Sequence, residues 1–341
     1  MTAAQGLPPV PAPGTMAEVA PGIRWIRMPL PFALDHVNLW LLEDGDGWTL
    51  VDTGLGNDAT RALWHEILEG PAAGRPIRRI LATHFHPDHL GQSGWLVERT
   101  GAEFLMTRTE WLTGRMLVGT GEEAGEIQAA FFRGHGLPGG QADGLARRGN
   151  VYRRRAPSVP ATYRRITGGE VIAIGERRWQ VVIGEGHSPE QACLYSQDGR
   201  ILISGDQILP HITPNVSVQW FEPEANPLAD FLGSVRRFGQ MPEDTLVLPS
   251  HGRPFCELAR RLAALERHHA ARLTDLMDAC ADEGCTAYEL LDVLFRRKLD
   301  DHQIVFAMGE AIAHLAYLEN DGLLRRERDG DGPWRYRAVG G

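Results

Sequence analysis

The chain has 341 residues, room for one large domain and a smaller one. Its formal net charge of −9 excludes a general attraction to nucleic acid or to an anionic membrane surface. No apolar stretch is long enough to span a bilayer, and the four cysteines form no CxxC pair, so a reduced, cytoplasmic setting is expected.

Residues 1–18 are rich in Pro and Ala, lack the basic start and apolar core of a secretory signal, and read as a flexible tail. The stretches IRWIRMPL (23–30), VNLWLLED (37–44) and WTLVDTG (48–54) read as strands, the last two separated by the turn DGDG. The spacing of Leu63, Ile67 and Leu68 predicts a helix over 57–69. A strand over IRRILA then runs into THFHPDH, followed by a helix over 89–101 and a strand over 102–107. An insertion of about 111–165 comes next. Strands resume with EVIAI, WQVVIGEGH, ACLYSQDG, RILISGD and TLVLPSHG. From 257 the pattern is helical: one long amphipathic helix over 256–280, a second over 286–295, a third over 303–324, and a hairpin-like end with a Gly-containing turn.

The strand ends carry the chemistry. His84 and His86 lie two apart at the end of a β-run, so both imidazoles project from one face and can meet one ion. Pro87 turns the chain, which leaves Asp88 and His89 on the loop and the start of the next helix, placed for a second ion. Three later apolar runs end in His187, Asp206 and His251. Imidazole and carboxylate are good ligands for zinc and related ions, and packing rarely gathers so many of them.

With VDTG (51–54), THFHPDH (83–89), GEGHSP (184–189), SGD (204–206) and SHG (250–252) in this order, the chain resembles the metallo-β-lactamase-fold hydrolases over roughly 20–256. The resemblance implies an α/β fold, an αββα sandwich of two mixed sheets with helices outside, for a catalytic domain over 19–256. It also implies a dinuclear centre: His84, His86 and His187 on one metal; Asp88, His89 and His251 on the other; and Asp206 bridging. Asp52 matches the family's structural aspartate and is not a ligand. Two zinc ions per chain are expected, with iron or manganese as the other fitting ions. Sharing a water between two metals lowers its pKa and makes a bridging hydroxide nucleophile, which Asp88 would orient as the catalytic carboxylate.

Asp206 sits where true β-lactamases place Cys or His, and resembles the branch that holds hydroxyacylglutathione hydrolases, lactonases, nucleases and sulfur dioxygenases. The resemblance therefore implies hydrolysis of a small ester, thioester, lactone or activated halide. A mononuclear iron enzyme of the sulfur dioxygenase type is the alternative, and a metal-dependent nuclease the second. The end of the chain, 257–341, is similar to the small winged-helix appendage of some of these hydrolases, and chlorothalonil dehalogenase is compared as a relative of this type. That region carries more acids than bases, and its third helix has no Arg or Lys, so packing or dimerisation is expected of it and DNA binding is not.

The substrate is a small molecule in this reading, with no nucleic-acid or membrane partner and a homodimer as the expected assembly. Between 133 and 165 the insertion carries Arg133, Arg147, Arg148, Arg153, Arg154, Arg155, Arg164 and Arg165 against one acid in that stretch, Asp143. It reads either as a lid in which Phe131 and Phe132 touch substrate, or as a solvated linker whose arginines pair elsewhere. Asn215 and Trp220, after Asp206, are candidates to bond and to stack on the substrate; both equally fit loop packing. His135 and His211 are further proton-transfer candidates, whereas His268, His269, His302 and His314 read as helix surface or core.

Overall fold

The computed structural model describes residues 6–281, 283–295, 298–300 and 303–340. Seven strands form the first sheet in chain order: β1 (Ala17–Ala20), β2 (Ile23–Pro29), β3 (His36–Asp44), β4 (Gly47–Val51), β5 (Ile77–Leu81), β6 (Glu103–Met106) and β7 (Arg164–Arg165). The second sheet is β8 (Val171–Ile174), β9 (Arg177–Gly184), β10 (Gln191–Ser196), β11 (Ile201–Gly205) and β12 (Leu246–Pro249), in the order β12-β11-β10-β9-β8. Pairing is antiparallel through β1–β4 and β8–β11, and parallel through β4–β7 and between β11 and β12.

Strand periodicity explains the sandwich. Along β2 and β3, Ile23, Trp25, Trp40 and Leu42 point to the core between the sheets, while Ile26, Met28, Leu39 and Leu41 point to the opposite face. In the second sheet Leu194 and Ile203 meet that same inter-sheet core, whereas Cys193 and Leu202 face outward into a third cluster. Strands buried on both faces read as nearly continuous apolar runs, which is why the sequence shows little polar alternation.

Helices cover the two outer faces. Those of the first half are α1 (Asp58–Glu69), α2 (Pro87–Leu90) and α3 (Ser93–Thr100), with Trp64 and Leu96 seated on the first sheet. The 111–165 insertion is not an open loop. It folds as α4 (Arg108–Gly119), α5 (Ala124–Gly134), α6 (Gly139–Ala146) and α7 (Val151–Arg155). The second sheet is covered by α8 (Pro227–Phe238) and α9 (Leu258–Ala279). Beyond them lie α10 (Leu291–Leu294), α11 (Gln303–Asn320) and the hairpin of β13 (Leu324–Glu327) and β14 (Arg335–Ala338). One apolar cluster runs from Leu202 and Val247 through Phe231 and Leu265 to Met308, Ile312 and Tyr336. The C-terminal elements therefore share a core with the catalytic layer.

Three expectations change. The tail of 1–18 is anchored where it is described: β1 pairs with β2, Val10 packs on the inter-sheet core, and Arg253 donates to the Pro8 carbonyl. The helix expected over 286–295 is α-helical only over Leu291–Leu294. The Thr286 and Glu289 side chains instead bond each other's backbone N–H, at 3.2 and 2.8 Å, in a capping box. The third helix ends at Asn320, and Leu324 belongs to β13. No helix among the described residues is long and apolar enough to cross a membrane.

Candidate metal centre

The ends of β4, β5, β9, β11 and β12 deliver the site. Directly after β4, Asp52 takes a left-handed backbone conformation at φ 64°, a strained choice for a non-glycine residue that turns its carboxylate inward. The Thr83 N–H and hydroxyl donate to the two Asp52 oxygens at 2.7 and 2.9 Å, and the ring Nδ1 of His89 lies 2.8 Å from Oδ2. Asp52 thus pins the loop that carries the ligands. At the far end of that loop, Gly91 lies against Gly56: a Cβ at Gly91 would come within 2.3 Å of the Gly56 nitrogen, so no larger residue fits without moving the backbone.

The seven expected ligands converge in two groups. Ligand atoms of His84, His86, His187 and Asp206 all lie within 4.8 Å of one another, as do those of Asp88, His89 and His251. His84 Nε2 is 2.9 Å from His86 Nδ1, which is 3.0 Å from His187 Nε2. Asp206 reaches both groups: Oδ2 is 3.4 Å from His187 Nε2, and Oδ1 is 3.2 Å from His251 Nε2 and 3.5 Å from His89 Nε2.

This donor set fits metal ions. His187 Nδ1 donates to the Asn215 carbonyl and His251 Nδ1 to the His36 carbonyl, both at 2.7 Å, while His84 Nδ1 bonds the Thr83 hydroxyl at 2.9 Å. Each ring therefore carries its proton outward and aims a lone pair inward, at other lone pairs. His89 Nε2 and Asp206 Oδ1 are buried with no hydrogen-bond partner. Such a cluster is costly unless a cation fills it. Burial and the neighbouring histidines hold His84 and His86 well below the usual histidine range, so both stay neutral and ligand-ready. His89 goes the other way: burial opposes its charge, yet the Asp206, Asp88 and Asp52 carboxylates raise it well above that range. The pocket demands positive charge there.

A residue outside the expected set ties the two ligand loops together. Glu110 of α4 is fully buried; its Oε2 accepts the Phe85 N–H at 2.9 Å, and its Oε1 accepts the Ser188 hydroxyl at 2.7 Å and the Glu190 N–H at 2.6 Å. Burial pushes its carboxyl up to about 7 despite these donors. No motif marks it, because both loops meet it only in three dimensions. Tyr152 of α7 adds a second tie, donating to the Phe85 carbonyl at 2.5 Å.

The expected substrate contacts fare differently. Phe132 is 3% exposed and packs with Leu137, Ala142 and Tyr336, and Phe131 lies against the same core. Phe132 fills the joint with the C-terminal elements and the half-buried Phe131 packs against it, so the pair serves packing where a lid was expected. His135 lies buried between Phe131 and Tyr336, and His211 is exposed. The Asn215 amide group faces α11, 3.4 Å from the Phe306 carbonyl and 3.5 Å from Glu310, so it is engaged within the protein and not presented to substrate. Trp220 ends an aromatic row toward the metal ligands. Its ring is 5.4 Å from Phe221, which is 6.4 Å from Phe85, which is 4.5 Å from His86. Within the insertion Arg133 pairs with Asp143, Arg154 with Glu122 and Arg164 with Glu170, which favours the linker reading for these arginines. His302 lies outside the described residues.

The metallo-beta-lactamase superfamily model matches residues 33–251. The chain belongs to that superfamily. A second model, the metallo-beta-lactamase-like C-terminal domain, matches 273–339 of this metallo-beta-lactamase superfamily member. A beta-lactamase domain protein from Burkholderia ambifaria superposes with a TM-score of 0.91 at 44% identity, over 97% of this chain and 96% of that one. A metallo-beta-lactamase family protein from Thermus thermophilus gives 0.79 at 30% identity, over 94% and 100%. The human acyl-coenzyme A thioesterase MBLAC2 is 26% identical over 263 residues, 71% of this chain and 83% of that protein. The chain is a metal-dependent hydrolase of this fold.

Proposed function

We propose that the protein is a dinuclear zinc hydrolase of acyl thioesters, with acyl-coenzyme A esters as the substrate class. The observation that carries the two-metal part is Asp206, whose two oxygens face the His84/His86/His187 group and the His89/His251 group respectively. All ligands are His or carboxylate, a set that suits zinc, and that iron and manganese also accept. The thioester part rests on the similarity to the human thioesterase.

Bound zinc would acidify a shared water and offset negative charge on the thioester oxygen as the bond is attacked. His84, His86 and His187 would hold one ion, Asp88, His89 and His251 the other, and Asp206 both. The Asp88 side chain, 20% exposed against 10% for Asp206, is the more open of the two carboxylates. It is placed to take the proton of the attacking water and return it to the leaving thiolate as the C–S bond breaks, giving acid and thiol. Trp220 and Phe221, backed by the buried Phe85, would supply an apolar wall for the acyl group beside His86. The winged-helix-like end serves in this reading as packing, and four free thiols, one on each cysteine, suit the cytoplasm.

Metal analysis of protein purified without chelator, joined to a panel of acyl-coenzyme A esters, simple esters and lactones, tests the proposal. Zinc close to two per chain and preference for thioesters are expected, with loss of turnover in His251→Ala. A single tightly held iron that added zinc does not join overturns the metal assignment; lactone turnover without thioester turnover overturns the substrate.

A further inference from the structure

The C-terminal elements touch the metal centre through one short relay. His187 donates from Nδ1 to the main-chain carbonyl of Asn215 at 2.7 Å, and that bond fixes which ring nitrogen faces the metal and how the ring is turned. Asn215 stands in the segment after Asp206 that has no regular secondary structure, so neighbouring elements hold it: Arg261 of α9 donates to the Leu209 and Ile212 carbonyls. Around Asn215 itself the neighbour is helix α11. The Val218 N–H donates to the Gly309 carbonyl at 3.2 Å. The Asn215 amide nitrogen lies 3.4 Å from the Phe306 carbonyl and 3.5 Å from Glu310, and the Ser217 hydroxyl closes the turn on Asn215 Oδ1 at 2.6 Å. Gly309 is the point of closest approach: a Cβ there would sit 2.6 Å from Ser217 Oγ and 2.7 Å from its Cβ. Glycine in the middle of an 18-residue helix is less favourable than alanine. Here it lets the segment lie directly on the helix backbone.

We propose that α11 is a positioning element of the metal centre: through the Gly309–Ser217 contact it sets the Asn215 carbonyl, which in turn orients His187. The C-terminal domain is then part of the site's outer shell as well as of the core. The inference rests on the reading of His187 as a metal ligand.

The test is Gly309→Ala in the full chain, with Ser217→Gly as the compensating change and Ser217→Ala as a milder variant that adds no atom. Each is loaded with cobalt and followed by chelator competition and by the NMR signals of the ligand imidazole N–H protons. Gly309→Ala is expected to weaken the ion held by His84, His86 and His187 by roughly ten-fold or more, and to shift the His187 N–H signal, while the ion on Asp88, His89 and His251 changes little. The Gly309→Ala/Ser217→Gly double variant makes room for the new methyl group and returns both readings to those of Ser217→Gly alone, which already lacks the hydroxyl bond to Asn215. Should Gly309→Ala fail to fold, Ser217→Ala carries the test through a smaller shift of the same N–H signal. A fall in thermal stability with unchanged metal affinity and an unmoved His187 signal overturns the proposal and leaves α11 as packing alone. Wild-type protein that takes up no metal overturns the ligand reading beneath it, a distinct result.

Discussion

At the scale of single residues, two carboxylates decide the centre, for different reasons. Asp206 faces both ligand groups, so in the proposed two-metal centre its removal would act on both ions. Asp206→Ala is expected to drop bound metal from roughly two per chain to below one, read by metal analysis of the purified variant. A variant that keeps both ions would deny Asp206 its bridging place. Glu110 holds no metal; it holds loops. Its two oxygens accept three buried donors from the segments on either side of the site. Glu110→Ala leaves two backbone N–H groups and a hydroxyl without partners, at about 1–3 kcal/mol each. It should also weaken metal binding or turnover roughly 10–100-fold, as loss of outer-shell partners does. Calorimetric melting of the metal-free and metal-loaded variant separates the two effects: a pure stability loss would shift both melting points equally.

At the scale of elements, the contact of α9 with α11 carries a pH dependence of its own. His269 Nδ1 and His314 Nε2 lie 3.0 Å apart in the buried seam between them, His314 Nδ1 also donates to the Glu310 carbonyl at 2.8 Å, and Phe231 of α8 covers the His269 ring. Burial, then the neighbouring His268 and Arg272 and, for His269, His314, press His269 down to about 3; His314 is likewise held down to about 4. Both rings fold neutral, while the unfolded chain binds protons below about 6.5. Their contribution to stability is therefore whole above about pH 6.5 and is lost as pH falls toward 4 and 3. Each histidine adds up to about 1.4 kcal/mol per pH unit in that window. Denaturant melts of metal-free protein between pH 4 and 7 should show wild type losing stability more steeply than His269→Leu/His314→Leu. Parallel slopes would mean that the pair is not held neutral by the fold.

At the scale of the whole molecule, the insertion and the C-terminal elements belong to one body with the sandwich. Phe132, Leu137 and Leu145 from the insertion join the same apolar cluster as Leu265, Met308 and Tyr336. Truncation after Cys256 would strip the outer side of that cluster and leave Phe231, Val235 and Leu202 facing water. The truncated chain should aggregate, or bind a hydrophobic dye and elute as a broad peak on size-exclusion chromatography. A soluble, metal-loaded truncated protein would show instead that the catalytic layer closes on its own. The same continuity explains why the insertion is helical: its apolar residues have a large surface to cover, and its arginines find acids such as Glu122 and Glu170 from outside the expected pairing.

The seven candidate ligands were legible in the sequence because His84, His86, His187, Asp206 and His251 follow apolar runs, with Asp88 and His89 just beyond in the same loop, and a strand end fixes a direction with little help from its surroundings. The two sheets were legible for the same reason: side chains alternate with period two, and doubly buried strands announce themselves as apolar runs. Glu110, Tyr152 and the Asn215 carbonyl were not legible. Each acts across a gap in sequence, 25 residues from Glu110 to Phe85 and 28 from Asn215 to His187, so local pattern holds no trace of it. The tertiary structure also gave Phe131 and Phe132 a packing place that neither the lid nor the linker reading had assigned them. Local sequence cannot tell an apolar pair that lines a cleft from one that fills a core, since both bury the same rings and only the neighbouring elements determine which. Sequence set the chemistry, because ligand type and strand-end spacing are local properties; the fold decided what holds that chemistry in place, because hydrogen bonds and packing link residues that are distant along the chain.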